Sequence, residues 1–216
     1  MKICSIELIL FDFGGVLAEE GFRNGLAAIA LHNGLNPEKF WQQAYSLTFN
    51  GGYVTGKIDE ATFWQTLRKQ TGIKGSDADL RAEILSRFEL RSWMIDLVKK
   101  LRETDIRCAI LSDQTNWLDE LNEKYAFFRW FDRVFNSFHM GKSKQDPTVF
   151  DDIAKELHVN PEQILFIDDS DENIERARKK GLQTIVFKDK ESFMQVLASF
   201  VQNSILINIQ RFHEKC

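Results

Sequence analysis

Polar side chains stand directly after short apolar runs at several points of this 216-residue chain. Asp12 follows "LILF", and Ser112 follows "RCAIL". Asp168 and Asp169 follow "ILFI", and Lys144 lies in "HMGKSKQDP", after a further apolar run, "RVF". In open parallel sheets, ligands bind beyond the carboxyl ends of the strands. We therefore expect these five side chains to meet at one edge of a sheet.

Together these residue types could transfer a phosphoryl group. Asp12 could attack phosphorus and form an aspartyl phosphate. With Asp168 and Asp169 it would also supply the hard oxygen ligands that Mg²⁺ prefers. The metal would reduce the repulsion between an anionic substrate and an anionic nucleophile. Ser112 could donate a hydrogen bond to a phosphoryl oxygen, and Lys144 could balance the remaining charge, so both are candidates for catalysis and for substrate binding.

Strands and helices alternate over much of the chain, which predicts an α/β fold with a Rossmann-like, doubly wound parallel sheet. The apolar runs are short and poorly alternating, as is typical of strands buried on both faces. The predicted strands are Glu7–Phe13, Arg107–Leu111, Arg133–Phe135, Ile164–Ile167 and Thr184–Phe187. The predicted helices are Trp93–Glu103, Trp117–Tyr125, Thr148–Leu157, Asn173–Lys180 and Ser192–Val201.

Residues 19–90 break this alternation, because they carry helical patterns and no convincing strand. We predict a small helical-bundle cap domain here, inserted into a core domain formed by residues 1–18 and 91–201. Tyr53, within "GGYVTGK", is expected to contact that core. Residues 202–216 form a tail whose structure the sequence leaves open. Most cap aromatics are expected in the bundle core, with one or two reaching a substrate: Phe40, Trp41, Tyr45, Phe49, Phe63 and Trp64.

Composition argues against several classes of protein. The formal net charge is −4, without the basic surface that nucleic-acid binding requires. Glu7 and Asp12 interrupt the N-terminal apolar run, and no run approaches the length of a membrane span. Cys4, Cys108 and Cys216 are too widely spaced for a zinc site or a disulfide framework. We expect a soluble cytoplasmic protein, a monomer or homodimer, whose partner is a small phosphorylated metabolite.

Four motifs together resemble those of the haloacid dehalogenase-like hydrolases. They are "FDFGGVL", "ILSDQT", "GKSKQDPTVF" and "FIDDSDENIERARKKGLQTI", and the match covers residues 7–187. The resemblance implies a Rossmann-like core, a mobile helical cap and Mg²⁺-dependent phosphoryl transfer from small phosphomonoesters. It further implies that the metal is held by the carboxylates of Asp12, Asp168 and Asp169 and by the backbone carbonyl of Gly14.

Gly14 departs from the pattern of this family. Most of its phosphatases carry a second aspartate at this position, and that group protonates the leaving alcohol and later activates water. Such acid–base help is typically worth about 10²–10⁴-fold. Three explanations are open. In the first, the protein is an enzyme for easy leaving groups, similar to glucose-1-phosphate phosphatases that carry glycine here. In the second, it is a dehalogenase or phosphonate hydrolase, although dehalogenases need no metal. In the third, it is a weak or inactive relative that binds a phosphorylated ligand or a protein partner.

Three positions near the motifs need separate interpretation. Asp113 stands where many relatives have asparagine; we count it among the substrate-binding candidates, as a cap of the following helix or as a replacement for the missing acid. Gln145 replaces a usual proline, which loosens the loop around Lys144. Lys142 is a second candidate for the role of Lys144. The four histidines are scattered and form no catalytic or metal-binding spacing.

Overall fold

The computed structural model describes residues 5–201 and contains one sheet of five parallel strands, in the order β3-β2-β1-β4-β5. This confirms the predicted α/β class and Rossmann-like sheet. The observed strands end within a residue or two of the predicted ones. They are β1 (Leu8–Phe11), β2 (Arg107–Ser112), β3 (Arg133–Asn136), β4 (Ile164–Asp168) and β5 (Gln183–Val186).

The centre of the sheet sets the place where a ligand can bind. The chain runs outward from β1 through β2 to β3 and then returns to the other side of β1 with β4. The topological switch point therefore lies between β1 and β4, which is where such sheets bind ligands. Phe11 pairs with Ile167, so Asp12 and Asp168 leave adjacent strands at the same level.

Helices flank the sheet and also fill the interval between β1 and β2. The predicted bounds of two helices, Trp117–Tyr125 and Thr148–Leu157, are confirmed at both ends. The helix predicted to start at Asn173 starts at Asp171, because the Ser170 side chain caps it from further upstream by accepting a hydrogen bond from the Asn173 N–H. The helices are α1 (Gly21–His32), α2 (Pro37–Phe49), α3 (Glu60–Thr71), α4 (Asp77–Ser86), α5 (Ser92–Leu101), α6 (Trp117–Tyr125), α7 (Ser137–Met140), α8 (Thr148–Leu157), α9 (Asp171–Lys179) and α10 (Lys190–Leu197).

Two apolar layers cover the two faces of the sheet. In the central strand, Ile9 and Phe11 belong to one buried cluster, and Leu8 and Leu10 belong to the other. Successive side chains of a strand point to opposite faces, so a strand covered on both faces reads as a continuous apolar run. The first cluster continues into the helices between β1 and α5, which joins the two parts of the chain through one core.

The segment 19–90 is helical, as predicted, and α1 packs against both α2 and α4. A short 3₁₀ turn, Tyr53–Thr55, connects it to the sheet-bearing part of the chain. The Tyr53 hydroxyl donates to Asn116 Oδ1 at 2.8 Å, and the Ser137 hydroxyl donates to the Val54 carbonyl at 2.7 Å. The predicted contact of "GGYVTGK" with the core is confirmed, whereas the division into two domains at these bounds stays a prediction.

Some sequence-based expectations concern residues outside the described part of the chain. These are the tail at 202–216 and two of the cysteines, Cys4 and Cys216. The third cysteine, Cys108, is buried in β2 as a free thiol. Between residues 5 and 201, no helix has the length and apolar character needed to cross a membrane.

Candidate active site

Three of the predicted acids converge at the carboxyl edge of the sheet. Oxygen atoms of Asp12, Asp168 and Asp169 all lie within 4.8 Å of one another. Asp12 and Asp168 are buried and Asp169 is exposed. The end of β1 is tied to β4 because the Asp12 N–H donates to the Ile167 carbonyl at 2.9 Å. The sheet itself therefore places the cluster.

Lys144 lies against two acids of this cluster and is almost fully buried. Its Nζ lies 2.9 Å from Asp12 Oδ1 and 2.6 Å from Asp168 Oδ2. The alternative, Lys142, lies outside the site, where its ammonium pairs with Asp152 and donates to Thr148. Lys144 is therefore the lysine that can meet a substrate beside Asp12.

Asp113 holds the backbone of the Lys144 loop. Its two carboxylate oxygens accept from the Lys144 N–H at 2.9 and 3.2 Å. The expectation that Asp113 caps the next helix is wrong, because α6 begins at Trp117 without a side-chain cap. An acid at this position is explained by a backbone partner 31 residues away, which no local pattern reveals.

Asp168 is fixed by groups from the start of α9. Its Oδ1 accepts from the Ser170 N–H at 2.8 Å, and Asn173 Nδ2 lies 3.2 Å from both carboxylate oxygens. Arg176 in turn donates to Asn173 Oδ1 at 2.9 Å. A buried carboxylate with this many hydrogen-bond donors around it is held in one orientation.

The two glycines after Asp12 differ in the space around them. A Cβ on Gly15 would lie 2.1 Å from Asp169 Oδ2, and its φ of +81° also favours glycine. A Cβ on Gly14 would lie 3.4 Å from Glu20 Oε2 and 3.5 Å from the Phe88 ring, which are ordinary contacts. Gly15 is therefore needed for Asp169 to approach the backbone, whereas crowding does not explain why position 14 lacks a side chain.

The electrostatics of the cluster favour an added cation. Burial raises the pKa of Asp12 well above its ordinary value, and Asp168 and Asp169 raise it further, against the opposing effect of Lys144. Burial and the charge of Asp168 raise the pKa of Asp169 as well. Burial disfavours the charged form of Lys144, but the carboxylates around it outweigh this and raise its pKa. Carboxylates that repel one another in this way fit a divalent, oxygen-ligated metal such as Mg²⁺.

These groups form one wall of a cavity of about 440 Å³, which Ser112, Asp113 and Lys144 also line. The buried Ser112 is the last residue of β2. This cavity is therefore lined by every predicted catalytic, substrate-binding and metal-ligating residue except Asp168. Asp168 is fully buried and contacts Lys144, which lines the cavity.

Helices α1 and α2 form the opposite wall of the cavity. Trp41, Tyr45 and Phe49 line it, with ring centroids 5.3 Å apart for the first pair and 4.4 Å apart for the second. The guanidinium of Arg23 lies 5.2 Å over the Trp41 ring. Of the six aromatic residues expected mainly in the bundle core, three thus face the cavity, and the other three are fully buried: Phe40, Phe63 and Trp64.

Glu20 is a cavity residue that sequence reasoning missed. Its Oε1 caps α1 by accepting from the Arg23 N–H at 2.9 Å, and its Oε2 faces Gly14. Burial raises the pKa of this carboxyl group. Glutamate is not a preferred helix cap, so no sequence signal marks this position.

Comparison with known proteins places this geometry in a family. The family model described as haloacid dehalogenase-like hydrolase matches residues 6–181. The chain belongs to this family of hydrolases. It is 23% identical to bifunctional epoxide hydrolase 2 of Rattus norvegicus over 220 residues, which is 89% of this chain and 38% of that protein. It thus spans well under half the length of this curated relative.

Solved structures give the same assignment over most of the chain. A HAD family enzyme from Bacteroides thetaiotaomicron superimposes with a TM-score of 0.75 at 26% identity, covering 89% of this chain and 98% of the other. The wild-type form of that enzyme in complex with magnesium and inorganic phosphate has a TM-score of 0.70 at 25% identity, covering 85% of this chain and 95% of the other. A shorter match, 36% identical over 53 residues, links 24% of this chain to 26% of D-ribitol-5-phosphate phosphatase from the same organism.

Proposed function

We propose that this protein hydrolyses a small phosphate monoester with the help of Mg²⁺, through an aspartyl phosphate on Asp12. The observation that carries the proposal is the meeting of Asp12, Asp168 and Asp169 at the switch point of the sheet, with Lys144 paired to Asp12 and Asp168. The related enzyme that binds magnesium and inorganic phosphate supports it, as does the match to a sugar-alcohol phosphate phosphatase.

Each residue of the site has a part in the proposed reaction. Asp12 attacks phosphorus; a bond forms between its carboxylate oxygen and phosphorus, and the bond from phosphorus to the leaving oxygen breaks. Lys144 balances the charge of the phosphoryl oxygens, and Ser112 donates to one of them. Asp113 keeps Lys144 in place through the backbone and borders the phosphate.

The metal site is proposed on the carboxylates of Asp12, Asp168 and Asp169 and the backbone carbonyl of Gly14. Bound Mg²⁺ would neutralise charge on the phosphate and polarise its oxygens. Glycine at position 14 has the same carbonyl as any other residue, so the missing side chain does not weaken this part of the site. Because Gly15 has no Cβ, the Asp169 carboxylate can lie close to the backbone of this glycine and near the other two acids.

The helical segment 19–90 is proposed to act as a cap that selects the substrate. It supplies the aromatic wall and Arg23, while the sheet edge supplies the charged groups. The cavity has room for a small organic group attached to phosphate, and a sugar phosphate is one candidate. A planar or sugar ring could pack on Trp41, as rings of either kind bury apolar area against an aromatic face.

The proposal is tested by a phosphatase screen of sugar phosphates and p-nitrophenyl phosphate, in Mg²⁺ and in EDTA. We expect turnover in Mg²⁺, its loss in EDTA and its return when Mg²⁺ is restored. Asp12→Asn should be inactive, and Asp152→Asn should retain activity because Asp152 pairs with Lys142 on the surface. Mg²⁺ or phosphate binding without turnover of any substrate would instead indicate a binding protein, and halide release in EDTA would indicate a dehalogenase.

A further inference from the structure

The Glu20 carboxylate lies close to the space that a side chain at position 14 would enter. Glu20 Oε2 lies 3.4 Å from the point that a Cβ on Gly14 would take, on the cavity side of the β1–α1 connection. The Phe88 ring, 3.5 Å from the same point, borders this volume. A side-chain acid at position 14 and the acid of Glu20 would therefore serve the same region of the cavity.

The position of Glu20 is fixed from two directions. One carboxylate oxygen, Oε1, accepts from the Arg23 N–H at the start of α1, so the other oxygen remains on the side of Gly14. Arg91 holds the segment between β1 and Glu20 in place. Its Nη1 donates to the carbonyls of Gly15, Val16 and Ala18 at 2.6, 2.8 and 2.9 Å. The carboxyl group is thus held in place rather than carried on a loose loop.

The other carboxylates that line the cavity have different partners. Asp113 uses both oxygens on the Lys144 N–H. Asp169 belongs to the acidic cluster, and Glu172 is a largely exposed side chain that pairs with Arg176. Among the cavity carboxylates of the described residues, Glu20 is the one that places an oxygen beside the Gly14 position, and its hydrogen-bond donors are backbone groups at the start of α1.

We propose that Glu20 is the general acid and base of the reaction and performs the part that a side chain at Gly14 would otherwise perform. This inference rests on the proposed phosphatase function. In the first step the Asp12–phosphorus bond forms, the bond to the leaving oxygen breaks, and the Glu20 carboxyl proton passes to that oxygen. In the second step water attacks phosphorus and gives a proton to the Glu20 carboxylate, the Asp12–phosphorus bond breaks, and inorganic phosphate and the starting enzyme result.

The test compares Glu20→Gln with the matched neighbour Glu19→Gln on two substrates that differ in their leaving group. Glutamine keeps an oxygen that can cap α1, so the fold should be retained. Proton donation matters most for a poor leaving group. We expect Glu20→Gln to lower kcat/KM for phenyl phosphate by about 10²-fold or more, and for p-nitrophenyl phosphate by less than about tenfold.

The second step provides a readout that a merely structural role would not move. Because water attack would lack its base, the aspartyl phosphate should accumulate in Glu20→Gln. With p-nitrophenyl phosphate we expect a burst of nitrophenol equal to the enzyme concentration, followed by slow turnover. Glu19→Gln, which loses part of an exposed pair with Arg91, should show neither the burst nor the leaving-group dependence.

A compensating change sharpens the test. A Cβ on Gly14 would make only ordinary contacts, so Gly14→Asp can be combined with Glu20→Gln. If Glu20→Gln lowers activity on phenyl phosphate by about 10²-fold, we expect the double variant to be at least about tenfold more active than Glu20→Gln. Equal loss on both substrates, no loss, or no rescue by Gly14→Asp would overturn the role of Glu20 while wild-type turnover continues. Absence of Asp12-dependent turnover in the wild type would instead overturn the proposed function, and the role of Glu20 with it.

Discussion

The two walls of the cavity are built by different means. In the sheet-edge wall, which carries Asp12 and Lys144, buried charges are fixed by ion pairs and backbone hydrogen bonds. In the helical wall of α1 and α2, Trp41 and Tyr45 are partly exposed and contact each other through their rings. The first arrangement tolerates little change and suits the proposed reaction. The second can vary without disturbing the sheet-edge wall and suits the proposed selection of a substrate.

The largest difference is expected within the sheet-edge wall, between two aspartates. Asp12→Asn should lower kcat by about 10⁶-fold, the order seen when a covalent nucleophile is removed. Asp113→Asn should cost less than about tenfold, because an amide oxygen can still accept from the Lys144 N–H and a proton-transfer role would cost about 10²-fold or more. Steady-state kinetics over a range of pH compare the two. A changed pH profile in Asp113→Asn would show that Asp113 itself transfers protons.

The two lysines of "GKSKQDP" allow the buried sheet-edge wall to be compared with ordinary surface, through the effect of each lysine on the free energy of unfolding. Lys144→Met should lower the free energy of unfolding by about 3 kcal/mol, because Asp12 and Asp168 are left buried without their cation. Lys142→Met should change it far less, since the pair of Lys142 with Asp152 lies on the surface, where water screens both charges. Urea denaturation without metal measures both. Equal losses would contradict the central place given to Lys144.

The adjacent glycines should differ in metal affinity. Gly15→Ala forces Asp169 away and should weaken Mg²⁺ binding by about 10–100-fold, the range found when groups that position ligands are changed. Gly14→Ala should leave the affinity within about threefold, well below that range. Gly72→Ala is the control for backbone strain, because Gly72 has a φ of +75° with no atom within 4 Å of a Cβ. Calorimetric titration with Mg²⁺ measures all three, and an equal loss in Gly72→Ala would attribute the effect to strain alone.

The smallest effect is expected in the helical wall. Trp41→Ala should raise KM for a substrate with a ring-containing leaving group by roughly fivefold, equivalent to about 1 kcal/mol of lost ring contact. The inhibition constant of inorganic phosphate should stay unchanged, since this ion has no organic group and would contact the sheet-edge wall without contacting Trp41. The comparison of KM with the inhibition constant makes each variant its own control. Parallel weakening of both would show that α2 also shapes the phosphate site.

The sequence was most informative where position along a strand decides geometry. Asp12 and Asp168 could be placed at one edge because parallel strands end at the same side of a sheet. Lys144 was harder, since Lys142 stands two residues away with the same charge. The choice is made by burial between two carboxylates, which is a tertiary contact and leaves no local pattern.

The helical wall could not be read from periodicity alone. In α2, two stripes with a spacing of four lie side by side, and such a spacing places residues on one face of a helix. The stripe with Phe40 and Ala44 is buried, whereas the stripe with Trp41 and Tyr45 lines the cavity. Both stripes are aromatic or apolar at their N-terminal end, so the sequence does not say which one faces the core. Glu20 was missed, and the partner of Asp113 was predicted wrongly, for a similar reason, since the contacts of both depend on the paths of loops.

The central claim is that Asp12 becomes phosphorylated during turnover, and rapid acid quenching tests it most directly. Protein mixed with Mg²⁺ and p-nitrophenyl phosphate is quenched within one turnover, digested and analysed by mass spectrometry, with Glu20→Gln included to increase the trapped amount. We predict one phosphoryl group on the peptide that contains Asp12, lost on treatment with hydroxylamine and absent from Asp12→Asn. Turnover that continues with this peptide unmodified in both proteins, or that survives in Asp12→Asn, would contradict the account.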